Sequence, residues 1–186
     1  FERVVQLQRP GLGVAHGVGD DFLGAAQQHV GALGIVQQER FGHVDADLQP
    51  GQRVLEIGTG TGFNAALIAS IVGTGGNVAT VDIQPDLIED AGVRLDAAGY
   101  DQVQTIVGDG GYGYPAAAPY DRIILTVGSD VITHAWKEQL APGGILVLPF
   151  AIVGPQHSVA FEKRGEELVS RSIHPCAFMP LQGTFA

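Results

Sequence analysis

From Gly51 onward, apolar runs of strand length alternate with segments of helix length. The first pair is "RVLEIG" followed by "FNAALIASIV", and the second is "NVATVDI" followed by "PDLIEDAGVRLDAAG". Neighbouring parallel strands need long connections, usually helices, and such connections produce this alternation. The sequence therefore predicts an α/β fold built on a mostly parallel sheet.

The segments that follow complete the predicted sheet. "VQTIVGD" and "DRIILTVG" predict a third and a fourth strand. "THAWKEQL" predicts a short helix, and "PGGILVLPF" predicts a turn followed by the fifth strand. "HSVAFEK" and "LVSRSI" flank a turn at Gly165, which predicts an antiparallel hairpin that closes the sheet. The final "CAFMPLQGTFA" is expected to pack as an ordered edge segment. Residues 51–186 are thus one predicted domain, whereas residues 1–50 are too rich in glycine for an assignment.

Composition narrows the possible partners. Twenty acidic and ten basic side chains give a formal charge of −10 without a basic cluster, so a nucleic-acid partner is not expected. The single cysteine cannot form an internal disulfide, and no apolar run is long enough for a membrane span. The six histidines lack the spacing of a metal site. We expect a cytoplasmic monomer. Because the sequence starts at Phe1, we expect the natural N-terminus to lie further upstream.

The stretch "GTGTG" joins the first strand to the first helix and places glycine at 58, 60 and 62. The dinucleotide fingerprint requires a further glycine at position 63, where this chain has Phe63. A pyrophosphate cradle is therefore disfavoured. S-adenosylmethionine, which carries adenosine but no phosphate, is the alternative ligand, and a purely structural strand-to-helix turn is the other interpretation.

Two acidic residues follow the next two strands. Asp82 ends the second strand, where a carboxylate can accept both hydrogen bonds from ribose hydroxyls, although helix capping is an alternative. Asp109 follows the third strand in "VGDGG", where it can accept from an adenine amino group beside Gly110 or act as a turn residue. Because carboxyl ends of parallel strands share one edge of the sheet, these residues are predicted to form one site.

Glu56 lies within the first strand, where a buried carboxylate is costly unless it is paired. We predict that it either anchors the backbone amides of the glycine loop or reaches a ligand ammonium group through water. Thr59 and Ile83 adjoin these positions and complete the predicted cofactor site. Trp136 is expected to pack the short helix rather than to border a cleft.

Four separated motifs, "VLEIGTGTGFNAALIA", "VGDGG", "PYDRIILTVG" and "LAPGGILVLP", resemble the protein-L-isoaspartate O-methyltransferase family. The ending "SVAFEKRGEELVSRSIHPCAFMPLQGTFA" looks most like an actinobacterial branch linked to modification of ribosomally made peptides. The resemblance implies a class I methyltransferase (Rossmann-like) three-layer sandwich, S-adenosyl-L-methionine as donor and an isoaspartyl or aspartyl carboxylate as acceptor. It also implies that Gly58, Gly60 and Gly62 line the donor, Asp82 holds its ribose, and Asp109 with Gly110 flanks the adenine.

One family feature is not found in residues 1–50: a "TISQP"-like stretch whose hydroxyl groups face the acceptor. No catalytic residue is therefore assigned by motif. Two other functions stay open, a non-catalytic module that binds an adenosine cofactor and, disfavoured by Phe63, an NAD-dependent oxidoreductase. We expect this chain to bind S-adenosylhomocysteine but to methylate a generic isoaspartyl peptide slowly or not at all, because acceptor positioning governs the rate.

Overall fold

The computed structural model describes residues 45–151 and 154–186. Their strands are β1 (Arg53–Ile57), β2 (Asn77–Asp82), β3 (Val103–Val107), β4 (Tyr120–Leu125), β5 (Leu140–Phe150), β6 (His157–Arg164) and β7 (Glu167–Pro175). All seven form one sheet in the order β3-β2-β1-β4-β5-β6-β7. The pairs from β3 to β5 are parallel, and β6 and β7 are added antiparallel. The predicted α/β fold with antiparallel closing strands is confirmed.

The helices are α1 (Phe63–Val72), α2 (Pro85–Ala97) and α3 (His134–Gln139), and short 3-10 turns span Gly110–Tyr112 and Pro115–Ala117. Helix α2 begins at a proline, whose missing N–H costs nothing in the first turn, and it ends just before Gly99 with φ +77°. The Thr133 hydroxyl accepts from the Trp136 amide and caps α3. These helices are where the sequence predicted them.

Strand β5 begins at Leu140, before the predicted turn "PGG" rather than after it. Leu140 pairs with Tyr120, and the register then shifts so that Ile145 pairs with Arg122. The extra residues of β5 form a bulge opposite β4, which places "APGG" inside the strand rather than before it. The hairpin prediction is confirmed, with β6 and β7 joined through Gly165 at φ +61°.

Two apolar cores cover the two faces of the sheet. Val54 belongs to the core beneath α1 and α2, whereas its neighbour Leu55 belongs to the opposite core around Trp136. This alternation follows from the two-residue period of a strand. The result is three layers, with α1 and α2 on one face and α3 with the 3-10 turns on the other.

The described residues that precede β1 pack onto the first core. Ala46 and Leu48 are buried, and the Arg122 guanidinium donates to the carbonyls of Ala46 and Asp47. Most of the segment predicted to end at residue 50, positions 1–44, lies outside the described residues. In the part of the chain that the structure describes, no helix combines the length and apolarity needed to cross a bilayer.

Candidate functional site

The strand order reverses between β1 and β4, because the connection after β1 runs to one side of the sheet and the later strands add to the other. Open α/β sheets bind ligands in the crevice that such a reversal creates at the carboxyl ends of the strands. A cavity of about 420 Å³ lies at this position. The fold therefore places a pocket where the sequence predicted a site.

The predicted residues divide into two groups. Those that line the cavity are Gly58, Gly60, Asp82, Ile83 and Gly110. Those that do not line it are Glu56, Thr59, Gly62 and Asp109. The first group is placed to touch a ligand, and the second group supports the first.

The three loop glycines all have positive φ, but they are required for different reasons. A Cβ on Gly58 would lie 2.5 Å from the Thr126 hydroxyl oxygen, so this glycine allows β1 and β4 to meet. A Cβ on Gly62 would lie 3.2 Å from the Ala91 side chain, so this glycine allows α1 to pack on α2. A Cβ on Gly60 would meet nothing within 4 Å. Only at Gly60 does the absent side chain leave open space beside the cavity.

Asp82 links the glycine loop to the start of α2. Its Oδ2 accepts from the Gly60 amide at 3.2 Å, and its Oδ1 accepts from the Gln84 amide at 3.1 Å. An ionised carboxylate has about four acceptor positions, so these two bonds leave capacity for a ligand in the cavity. The Gln84 amide belongs to the N-cap residue and not to the first turn of α2, so this bond is not a helix cap, and the ligand-binding role of Asp82 stays a prediction.

Glu56 is fully buried and is bound by side chains rather than by loop amides. Its Oε2 accepts from the Thr80 hydroxyl at 2.6 Å, and its Oε1 accepts from Asn64 Nδ2 at 2.7 Å. Thr80 in turn shares a hydrogen bond of 2.8 Å with Thr59 in the loop. Burial raises the pKa of Glu56 to about 7, although both of its hydrogen bonds act in the opposite direction. The carboxyl thus joins β1, β2, the loop and α1.

Asp109 is engaged by two backbone amides. Its Oδ1 accepts from Gly111 at 2.9 Å, which is the predicted turn role, and its Oδ2 accepts from Thr184 at 2.8 Å. Partial burial raises the pKa of Asp109, but the bonds from Thr184 and Gly111 outweigh it, so the pKa lies below its usual value. Beside it, the Gly110 carbonyl accepts from Trp136 Nε1 at 2.8 Å. Trp136 is fully buried, which confirms its predicted packing role.

The sequence analysis did not identify two parts of the cavity wall, Thr126 and residues 177–182. Thr126 donates to the Gly58 carbonyl at 2.6 Å, and its position at the end of β4 was a usable signal. Residues 177–182 form a further wall, fastened where Gly128 N donates to Met179 O at 2.7 Å and Leu181 N donates to Gly128 O at 2.6 Å. No local pattern in the sequence indicated that this segment crosses the pocket.

Comparison with known sequences also indicates a methyltransferase. The family model described as protein-L-isoaspartate(D-aspartate) O-methyltransferase matches residues 35–186. A protein-L-isoaspartate O-methyltransferase of Ignicoccus hospitalis is 44% identical over 138 residues, which cover 73% of this chain and 65% of the relative. One from Hyperthermus butylicus is 43% identical over 149 residues, covering 75% and 62%. The chain therefore spans less than two thirds of the length of these relatives.

Solved structures resemble the chain in fold. A protein-L-isoaspartate O-methyltransferase superposes with a TM-score of 0.72 at 35% identity, covering 75% of this chain and 45% of that protein. A putative Plasmodium falciparum protein-L-isoaspartate O-methyltransferase, solved in complex with S-adenosyl-L-homocysteine, gives a TM-score of 0.66 at 16% identity, covering 75% and 69%. The fold is the class I methyltransferase sandwich. Since the family model covers most of its length, the chain belongs to the protein-L-isoaspartate(D-aspartate) O-methyltransferase family.

Proposed function

We propose that this chain carries the donor-binding part of an S-adenosyl-L-methionine-dependent O-methyltransferase, which methylates an isoaspartyl or aspartyl carboxylate of a protein or peptide. The observation that carries the proposal is the cavity of about 420 Å³ at the reversal of strand order, with Gly60 open to it and the Asp82 carboxylate at its wall. Membership of the family and the fold shared with its solved members support the same function.

The residues present suit such a donor. In the proposed complex, Asp82 accepts from the ribose hydroxyls and Gly60 lets the donor approach the backbone. Gly58 lines the same cavity, and Ile83 gives an apolar contact. Gly110, with Asp109 behind it, lies on the adenine side. The bound donor supplies an electrophilic methyl group on a sulfonium.

Three of the predicted cofactor residues act by positioning in this proposal. Glu56 and Thr59 belong to the buried network under the loop, and Gly62 seats α1 against α2. None of them lines the cavity. They hold the loop shape that Gly60 and Asp82 present to the donor.

The rate of carboxylate methylation depends more on the orientation of the two reactants than on proton transfer, because the acceptor carboxylate is already ionised near neutral pH. Among the described residues that line the cavity, Asp82 is the only one with an ionisable side chain. Apart from Asp82, the lining consists of backbone, apolar groups and the uncharged polar side chains of Thr126, Gln84 and Gln182. Such a lining suits a reaction whose rate depends on alignment rather than on proton transfer.

Two binding measurements and one assay of turnover separate the candidate functions. Calorimetric titration with S-adenosylhomocysteine and with NADH should give binding of the first ligand alone. Preferred binding of NADH would favour an oxidoreductase and refute the proposal. Mass spectrometry of an isoaspartyl peptide and of a candidate precursor peptide, each incubated with donor, should then reveal a product heavier by one methylene group for at least one of them. Donor binding without turnover on any acceptor would favour a non-catalytic module.

The acceptor and the biological setting are part of the proposal. The "TISQP"-like stretch was not found in the sequence of residues 1–50, most of which lie outside the described residues. Slow or absent turnover on a generic isoaspartyl peptide therefore stays a prediction. The relatives reported above are archaeal, so assignment to an actinobacterial peptide-modifying branch also stays a prediction. A precursor peptide methylated much faster than an isoaspartyl peptide would support that branch. We further propose a cytoplasmic monomer without nucleic-acid or membrane partners.

A further inference from the structure

The segment between β3 and β4 reaches the cavity through Gly110, its one member among the described lining residues. The backbone of Gly110 packs directly on β1, because a Cβ there would overlap the Ile57 side chain. Its carbonyl accepts a hydrogen bond of 2.8 Å from Trp136 Nε1. The position of this wall residue therefore depends on a side chain of α3 that does not itself line the cavity.

A second side chain of α3 holds the residues that follow Gly110. Gln139 Nε2 donates to the Tyr112 carbonyl at 2.9 Å, and Gln139 Oε1 accepts from the Tyr114 amide at 2.8 Å. A Cβ on Gly113 would overlap the Gln139 side chain, so that side chain lies directly on the backbone of the turn. Gln139 is buried, and both ends of its amide bind backbone. The two side chains of α3 thus bind this segment at three points.

Helix α3 is itself fastened at both ends. At its start, the Thr133 hydroxyl accepts from the Trp136 amide. At its end, the Lys163 ammonium on β6 donates to the carbonyls of Lys137 and Leu140, each at 2.7 Å. A lysine at this place satisfies carbonyls that have no partner within the helix. The helix is therefore fixed to the sheet and can support the cavity wall.

We propose that Trp136 and Gln139 are positioning residues of the donor site, which hold the wall on the adenine side where adenine requires it. This inference rests on the proposed function, in which Gly110 lies on the adenine side. Neither side chain lines the cavity, so both act through the backbone from Gly110 to Tyr114. If one of these bonds is lost, the segment takes up displaced positions. The apparent affinity then falls with the fraction of molecules that keep the wall in place.

Two variants remove these bonds separately. Trp136→Phe keeps an aromatic ring but loses the N–H that binds Gly110, and Gln139→Met keeps the length of the side chain but loses both amide bonds. Each variant should bind S-adenosylhomocysteine about threefold to tenfold more weakly in calorimetry. Tyr100→Phe is the matched control. It loses a hydrogen bond of 2.7 Å to Ser70 in the core on the other face of the sheet, and it should keep the wild-type affinity.

The choice of base separates positioning from a general loss of stability. S-inosylhomocysteine differs from S-adenosylhomocysteine only in its base, where hypoxanthine has a carbonyl in place of the amino group of adenine. The wild type should bind the adenine ligand more tightly, and both α3 variants should reduce the ratio of the two affinities. Tyr100→Phe should retain the wild-type ratio. Side chains that contribute only to stability would lower the thermal midpoint and leave this ratio unaltered.

The possible outcomes separate this inference from the proposed function. If the wild type binds S-adenosylhomocysteine and both α3 variants keep its base preference, the inference is wrong while the proposed function stands. Equal binding of the two ligands by the wild type would also overturn the inference. If the wild type binds neither ligand, the proposed function and the inference fail together. Thermal denaturation identifies the variants that fold, and if Trp136→Phe does not fold, Gln139→Met alone decides the test.

Discussion

Replacing Glu56 with glutamine should remove a pH dependence of folding stability that this carboxyl causes. Glu56 is fully buried beneath the glycine loop, and burial raises its pKa from 4.5 to about 7. In the unfolded chain the same group titrates near its ordinary value. Between these two values the native protein holds a proton that the unfolded chain has released.

The sign of the effect follows from that difference in bound protons. Below the unfolded pKa both states are protonated, and this group imposes no penalty. As the pH rises toward and through the native pKa, the unfolded state gains stability by ionising, so the free energy of unfolding falls. Each tenfold difference in proton affinity is worth about 1.4 kcal/mol, so the loss is about 3 kcal/mol. Glutamine cannot ionise, so Glu56→Gln lacks this loss.

Urea denaturation of both proteins between pH 5 and pH 8 measures this quantity. The free energy of unfolding of the wild type, minus that of Glu56→Gln, should fall by about 2.5 kcal/mol between pH 5 and pH 8, since part of the total loss has already occurred at pH 5. Glu89→Gln, the same replacement at an exposed position of α2, is the matched control and should give a flat difference. A flat difference for Glu56→Gln as well would mean that Glu56 is already ionised in the native protein, which would refute the reasoning.

Three further substitutions test separate parts of the site. Asp82→Ala should weaken S-adenosylhomocysteine binding by at least about 1.5 kcal/mol in calorimetry, the cost of lost bonds to a charged acceptor, while Asp96→Ala at an exposed position of α2 should not. Gly60→Val should abolish binding of the same ligand yet destabilise the fold less than Gly62→Val, since both positions have positive φ but only Gly62 adds a clash. An equal loss of thermal stability in the two valine variants would contradict this. Trp136→Phe should cost about 1–3 kcal/mol of unfolding free energy, because it leaves a buried carbonyl without its donor, and an unchanged denaturation midpoint would show that the bond is dispensable.

Much of the fold was predictable because its signals are local. Strand and helix periods, Pro85 at the start of α2 and Gly99 after its end depend only on neighbours in the chain. The rule that parallel strands end at one edge then brought Asp82 and Gly110 to one cavity. The start of β5 was wrong, because its first residues are decided by pairing with Tyr120 rather than by their own pattern.

The glycine loop marks the boundary between local and tertiary information. From sequence, glycine at 58, 60 and 62 had the same two explanations, the close approach of a ligand or a structural turn from strand to helix. In the structure, Gly58 is required by Thr126 and Gly62 by Ala91, and these neighbours are distant in the chain. The glycines therefore look alike in sequence, although their surroundings differ.

The sequence alone determined the order of the elements along the chain and the strand ends that supply the acidic groups, because both follow from short-range periodicity. The reversal of strand order that creates the crevice became visible only in the folded sheet. The tertiary structure decided the partners of those groups. Glu56 meets Thr80 rather than loop amides, and Asp109 meets Thr184 across 75 positions. Such contacts depend on how separate segments pack, since burial and hydrogen-bond geometry are properties of the folded neighbourhood and not of the local chain.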